Sequence, residues 1–376
     1  MSALLTVAYA LVRGTTAPFG QESEADVIPV QRDLMHARAT LRRWLQARHT
    51  TGRVAEVGDL REFSDGFSGE LYAFEATYRD EHAEHSEDLV VRFEPGTGYQ
   101  LFLETMFEEQ YRVMAALRTH AVRVPRPIGY EADAGVLGAR FFVMERARGS
   151  TGQLGQDWMN EIGPQGREQT WWSGLAAMAE LHRCDPRRLD LGFLDQPGRG
   201  SDPIDQQLQY YWEYYAWVSA GDSHPVIEKA YQWLRRHRPP LPPPAGLVWG
   251  DAKRGNQLFT EDFKCSAILD FEMVALGPAE VDLAWWLEGE YQTAQGLGFE
   301  AQPTVEETTE RYADLLGREI ADLDYYIVFA AFRLAVLRIK LYQLREGQKY
   351  RGKPRDGDKR LARVLAEWAG ITGLRV

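Results

Sequence analysis

Cysteine is almost absent: the 376 residues include only Cys184 and Cys265. Neither stands at metal-ligand spacing from a second Cys or a His, so no cysteine-based metal site is expected, and a reducing, cytoplasmic compartment is. Positive charge is also in deficit. Lys and Arg number 43 against 55 Asp and Glu, a formal net charge of −12, and this argues against nucleic acid or an anionic membrane surface as a partner, because phosphate-backbone affinity comes from clustered cations. A long uninterrupted apolar run is missing too. Residues 325–344 are rich in aliphatic and aromatic side chains, but Arg333, Arg338 and Lys340 break them short of the roughly 20 uncharged residues a spanning helix needs. They read as a buried C-terminal helix. The apolar run over residues 3–12 has no preceding Lys or Arg and no clear small-residue cleavage site, and reads as a packing segment or arm. No internal repeat is visible. His82 and His85 share a Glu-rich stretch with no further ligand in register, the pattern of a solvated turn.

What is present is a chain long enough for two lobes, each with its own core, with 44% hydrophobic residues, as suits a globular enzyme. The most informative stretch is Trp249-Gly250-Asp251-Ala252-Lys253-Arg254-Gly255-Asn256, followed further on by Asp270-Phe271-Glu272. Phosphoryl transfer needs a base to orient the attacking hydroxyl and hard oxygen ligands for the metal that neutralises triphosphate charge. Asp251 fits the first role, and Asn256 and Asp270 fit the second. Between the two ligands, Gln257-Leu258-Phe259-Thr260 and Cys265-Ser266-Ala267-Ile268-Leu269 flank a turn-like Glu261-Asp262-Phe263-Lys264, which predicts a short hairpin that brings its ends together.

These two motifs, with the strand-like Gly246-Leu247-Val248 and Ala267-Ile268-Leu269 before them, resemble those of the aminoglycoside phosphotransferase-like small-molecule kinases. Within that family they look most like an actinobacterial phosphotransferase branch related to the kinase-like domain of some acyl-CoA dehydrogenase fusion proteins. The resemblance extends over most of residues 55–290 and weakens toward both termini. It implies an α+β, bilobal protein-kinase-like fold: a small antiparallel-sheet N-lobe with one helix, and a larger, mainly helical C-lobe. On that basis residues 1–30 form an arm, 31–147 the N-lobe with a leading helix, and 148–376 the C-lobe with the catalytic loop, metal site and acceptor-binding helices.

The periodicity agrees with such an order. Leu34, Leu41 and Leu45 recur at helical spacing over residues 31–49, and Tyr72, Phe74, Ala76 and Tyr78 alternate as on a half-buried strand. A strand over residues 88–93, a helix over 99–119 and a strand over 139–144 follow. Beyond Gly149 the pattern turns helical, with Trp171, Leu175 and Met178 on one stripe of residues 167–182. An aromatic cluster of Tyr210, Tyr211, Trp212, Tyr214, Tyr215 and Trp217 lies in a helix over 206–218 and reads as core before ligand platform. Residues 239–244, rich in proline, form a stiff entry to the catalytic strand.

For the nucleotide, Gly66 and Ser68 lie in Ser64-Asp65-Gly66-Phe67-Ser68-Gly69-Glu70, where a kinase-like lobe folds a loop over phosphates and glycine permits close backbone approach. Arg92 stands where most kinases place a Lys, keeping the charge but changing the geometry. The helix Glu that usually pairs with it is replaced by Gln110, which accepts a hydrogen bond but brings no countercharge. Glu145 and Ala147 match the hinge that offers a carbonyl and an N–H to adenine. Near the base, Trp249 replaces a His that braces the metal-binding segment, and Asp282 matches an Asp that holds the catalytic loop from a neighbouring helix. Lys253 or Arg254 is placed to neutralise charge on the transferred group, and His182 reads as a helix-end or packing residue.

Together these imply an ATP- and Mg2+-dependent kinase acting on a small hydroxylated acceptor. An aminoglycoside would want acidic walls, which Glu288 and Glu290 could supply. The acyl-CoA dehydrogenase-linked relatives suggest instead a hydroxy-acyl acceptor, for which Lys349, Arg351, Lys353, Arg355, Lys359 and Arg360 would meet CoA phosphates, the other reading of these residues being a solvated surface loop. The alternative class is a nucleotide-binding pseudokinase acting as regulator or scaffold, to which Trp249 and Gln110 point.

Overall fold

The computed structural model describes residues 32–49, 53–63, 70–80, 83–96, 100–120, 122–239, 245–299, 302–346 and 356–374. The apolar N-terminal run, the loop carrying Gly66 and Ser68, His82, the proline run and residues 349–355 of the basic segment lie outside them. The chain divides into two compact units, one of residues 1–100 and 124–147, the other of 101–123 and 148–376.

Among the described residues the first unit is an antiparallel sheet with one helix. Strands β1 (Arg53–Val57), β2 (Arg61–Glu62), β3 (Leu71–Arg79), β4 (Glu84–Phe93), β5 (Pro127–Glu131) and β6 (Phe141–Glu145) run in spatial order β1-β3-β4-β6-β5, with β2 also on β3. On β3, Tyr72, Phe74, Ala76 and Tyr78 are all buried, as the alternation predicts. Helix α1 (Leu34–Arg48) is capped by the Asp33 carboxylate, which accepts from the N–H groups of Met35 and His36. Its buried face is Ala37, Leu41, Trp44 and Leu45, while Leu34 is 40% exposed. The stripe is therefore set by Trp44, whose ring lies 5.1 Å from Phe141 and whose indole N–H reaches Glu131 at 2.8 Å, and Leu34 falls outside it. His85 is also not in a turn: β4 starts at Glu84, and the His85 ring stacks on Tyr78 at 5.2 Å.

The second unit is mainly helical. Helix α2 (Phe107–Arg118) begins later than its sequence pattern suggests. The preceding residues are held by tertiary contact, since Leu101 is buried and its carbonyl accepts the Tyr214 hydroxyl. After β7 (Ser150–Thr151) come α3 (Asp157–Glu161), α4 (Gly163–His182), α5 (Pro203–Ser219) and α6 (Pro225–Arg236). The predicted stripe of α4 is buried at Trp171, Leu175 and Met178. In α5, Tyr211, Tyr214 and Tyr215 are core, each large buried ring contributing about 1.5–3 kcal/mol. Four short strands follow: β8 (Gly246–Val248), β9 (Gln257–Phe259), β10 (Cys265–Ile268) and β11 (Ala275–Gly277). Helices α7 (Glu280–Leu297), α8 (Val305–Leu316), α9 (Leu323–Glu346) and α10 (Asp356–Trp368) complete the unit. Residues 325–344 fall within α9, whose apolar residues from Tyr325 to Leu341 are buried. Among the described residues no helix is long and apolar enough to cross a membrane.

Candidate active site

Two loops make the site, and four strands hold them. The first loop leaves β8 at Trp249 and enters β9 at Gln257; the second leaves β10 at Leu269 and enters β11 at Ala275. Strands β9 and β10 pair antiparallel, with Gln257 opposite Ile268, and β8 pairs with β11, with Val248 opposite Ala275. Each loop is thereby tied to the other at both ends. The Leu269 N–H donates to the Asn256 carbonyl at 2.8 Å, which carries the hairpin one residue further and puts Asn256 and Asp270 side by side. The hairpin expected from the sequence is thus the one found.

Gly250 is required where it stands. Its φ is +95°, and a Cβ there would overlap the Met273 carbonyl, so the two loops touch main chain to main chain. Asp270 also has a left-handed backbone, φ +62°. For a non-glycine residue this costs on the order of 1–3 kcal/mol and is found where a side chain has to be aimed.

Asp251 is 2% exposed, and both its oxygens are engaged. Oδ2 accepts from the Asn256 amide at 2.8 Å and lies 2.6 Å from Lys253 Nζ. Oδ1 accepts from the Trp285 indole at 3.1 Å. Beneath the loop, fully buried Asp282 accepts from the N–H groups of Trp249 (2.6 Å) and Gly250 (2.8 Å) and from His182 Nε2 (2.8 Å). His182 does more than end a helix: its Nδ1 meets the Tyr312 hydroxyl at 2.5 Å, so it links α4, α7 and α8 through one ring. Trp249 directs its indole N–H at the carbonyls of Leu269 (2.9 Å) and Asp270 (3.0 Å). It therefore braces the second loop, the service for which a His was expected.

Lys253 and Arg254 part company. Lys253 stays beside Asp251, whereas Arg254 is fully buried, with Nε and Nη2 on the Glu290 carboxylate at 2.9 and 2.7 Å and Nη1 on the Arg167 carbonyl at 3.0 Å. Glu290 is accordingly no acidic wall. Glu288 is not one either, because it pairs with Arg360 of α10. Arg360 is itself 7% exposed and thus no member of a solvated loop; burial works against its charge and Glu288 offsets this. These pairings join residues far apart in sequence, and no local pattern announces them.

The nucleotide candidates are placed as follows. Arg92 is buried on β4, opposite Leu71 and Phe142. Glu145 ends β6, its N–H bonded to the Arg126 carbonyl at 2.8 Å and its carboxylate 3.8 Å from Arg126 Nε. Ala147 closes the first unit, while Gln110 is buried in the first turn of α2 in the second. Two residues of the site escaped the sequence reading, Trp285 as a donor to Asp251 and Arg333, whose Nη2 donates to the Gly250 carbonyl at 3.0 Å. Trp285 follows Asp282 by one helical turn, a spacing that could have flagged it.

A model of the phosphotransferase enzyme family (APH) matches residues 59–319. Over 333 residues the chain is 27% identical to acyl-CoA dehydrogenase family member 10 of Mus musculus, covering 84% of this chain and 29% of that protein. It is 26% identical over 250 residues to family member 11 of Gallus gallus, covering 62% and 31%. The chain thus spans under a third of the length of these curated relatives. Among solved structures, a Ralstonia eutropha protein described as a candidate aminoglycoside phosphotransferase superposes with a TM-score of 0.64 at 21% identity, covering 88% of this chain and 98% of that one. A macrolide 2′-phosphotransferase from Brachybacterium faecium does so with a TM-score of 0.51 at 18% identity, covering 91% and 99%. Likeness at that identity carries the fold, which is the α+β kinase-like one. With the family match spanning most of the chain and the loops built as above, this protein belongs to the phosphotransferase enzyme family.

Proposed function

We propose that the protein transfers the terminal phosphoryl group of ATP, with magnesium, to a hydroxyl of a small molecule, and that it does so in the cytoplasm, where its two unpaired cysteines suit a reducing medium. The observation that carries this reading is the environment of Asp251. A buried carboxylate set by three donors beside a left-handed Asp270 is placed to orient an acceptor hydroxyl and take its proton as the new O–P bond forms and ADP leaves.

The donor set suits a hard divalent cation: an amide oxygen from Asn256 and a carboxylate from Asp270, brought together by the hairpin. Asn256 turns its amide nitrogen to Asp251, which would leave its carbonyl oxygen for the cation. Magnesium held there would supply the positive charge that offsets the triphosphate. Lys253, and not Arg254, is the cation for the transferred group. Asp282 supports the loop. For the nucleotide, Arg92 with Gly66 and Ser68 takes phosphate oxygens, the Glu145 carbonyl and Ala147 N–H receive adenine, and Gln110 is the counterpart of the helix Glu of relatives. For these roles we assign residues 1–30 as an arm, 31–147 as the nucleotide-binding part and 148–376 as the catalytic part, although residues 101–123 cluster with the second compact unit.

The pseudokinase reading loses its main support, because Trp249 still braces the second loop. A polycationic acceptor is also less favoured, since Glu288 and Glu290 are already paired. The test is ADP release from Mg-ATP across hydroxy-acyl-CoAs, amino alcohols, sugars and aminoglycosides. Turnover is expected with one hydroxylated class and is lost by at least about a thousandfold in Asp251→Asn with Mg-ATP binding retained. Retained turnover in that variant would refute the assignment.

A further inference from the structure

We propose that Trp285 and Arg333 are positioning residues for the base, a role that rests on the reading of Asp251 given above. Asn256 and Lys253 both engage Oδ2, and both belong to the loop that carries Asp251. Donors on one oxygen, both from the loop that carries the carboxylate, leave it able to swing about its Cβ–Cγ bond. Trp285 supplies what is missing: a donor to Oδ1 from a different and rigid element, the helix α7.

The same face of α7 holds the loop twice. Asp282 accepts the main-chain N–H groups of Trp249 and Gly250, and one turn on, Trp285 donates to the side chain of Asp251. Packing alone would not call for an indole N–H aimed at a carboxylate; Phe or Leu fills apolar space without a polar atom to satisfy.

Arg333 reaches the same point from α9. It is 1% exposed, donates to the Gly250 carbonyl, and sets its guanidinium 4.6 Å from the Trp285 ring centre and 5.0 Å from that of Tyr211. Among the described residues no carboxylate lies within ion-pair distance of it. A guanidinium buried without an ion-pair partner is costly unless other charge nearby balances it. Here Asp251 and Asp282 are two buried carboxylates, and Lys253 and Arg333 two buried cations. Arg333 thus completes the charge balance of the loop from below, and its stacking on Trp285 fixes the indole that fixes the base.

Two measurements test this. In an indole 15N–1H spectrum, the resonance missing from Trp285→Phe is expected to be the one that moves in Asp251→Asn; an unmoved resonance overturns the contact. In ADP release, with whichever acceptor class supports turnover or with water, Trp285→Phe is expected to lower kcat roughly tenfold with KM for Mg-ATP unchanged. Arg333→Lys should keep part of the activity that Arg333→Met loses. Wild-type kcat in Trp285→Phe alongside an inactive Asp251→Asn overturns the positioning role alone. Turnover by Asp251→Asn overturns the reading of the base and the positioning role with it.

Discussion

The loop between β8 and β9 has two halves held by opposite means. Trp249 and Gly250 are fixed through their main-chain N–H groups by Asp282, so the side chains of this half are left for other work: the Trp249 indole braces the second loop and the Asp251 carboxylate takes Asn256, Lys253 and the Trp285 indole. The other half, the 3-10 turn Arg254–Asn256, is fixed through a side chain. Arg254 is driven into the helical core by Glu290, and its charge is satisfied there. The lesson is that charge near a catalytic motif is not equivalent from one residue to the next. Lys253 and Arg254 are neighbours, yet one belongs to the site and the other to the foundation beneath it.

Arg254→Met should break the second half and show the largest effect on stability. It leaves Glu290 buried and unpaired, a loss of about 3–5 kcal/mol, to be read as a fall in denaturant midpoint; a near-wild-type midpoint would mean that Arg254 is no anchor. Trp249→Phe bears on the first half and should be milder. Losing one indole donor to two carbonyls costs about 1 kcal/mol, with a fall in kcat that Trp249→His partly restores, checked by paired melting and ADP-release assays. The smallest effect sharpens the comparison without a mutation. Cys265 sits in β10 behind the second loop, and burial pushes its thiol up to about 12. It should resist alkylation at pH 8 in the folded protein, while Cys184, half-buried, reacts first. Fast labelling of Cys265 would show that the hairpin opens.

Much of this was legible in the sequence, for reasons that differ by region. Asp251, Asn256 and Asp270 could be read together because a hairpin of ordinary length joins them, and local alternation is enough to predict a hairpin. The stripe on α4 and the alternation on β3 were legible for the same reason. Leu34 was misread because a periodic pattern does not say which stripe meets the sheet, and Trp44 decided that through Phe141 and Glu131. The start of α2 was misread because Tyr214, far along the chain, takes the Leu101 carbonyl. Trp249 teaches something subtler. A departure from the usual residue suggested a damaged site, but the hydrogen-bond donor was preserved on a larger ring. The Arg254–Glu290 and Arg360–Glu288 pairs had no local signature at all.

The four-strand arrangement around the two loops sets rules for length. Adding a residue between Trp249 and Asn256, or between Leu269 and Val274, would shift one ladder against the other and move Asp251 or Asp270 off its partners. The turn at residues 260–264 is exposed at Glu261 and Asp262 and lies outside both ladders. It is the place where the chain can absorb an insertion or a grafted epitope. In engineering terms, the distance from Asn256 to Asp270 along the chain is adjustable, whereas the distance from Asp251 to Asn256 is not.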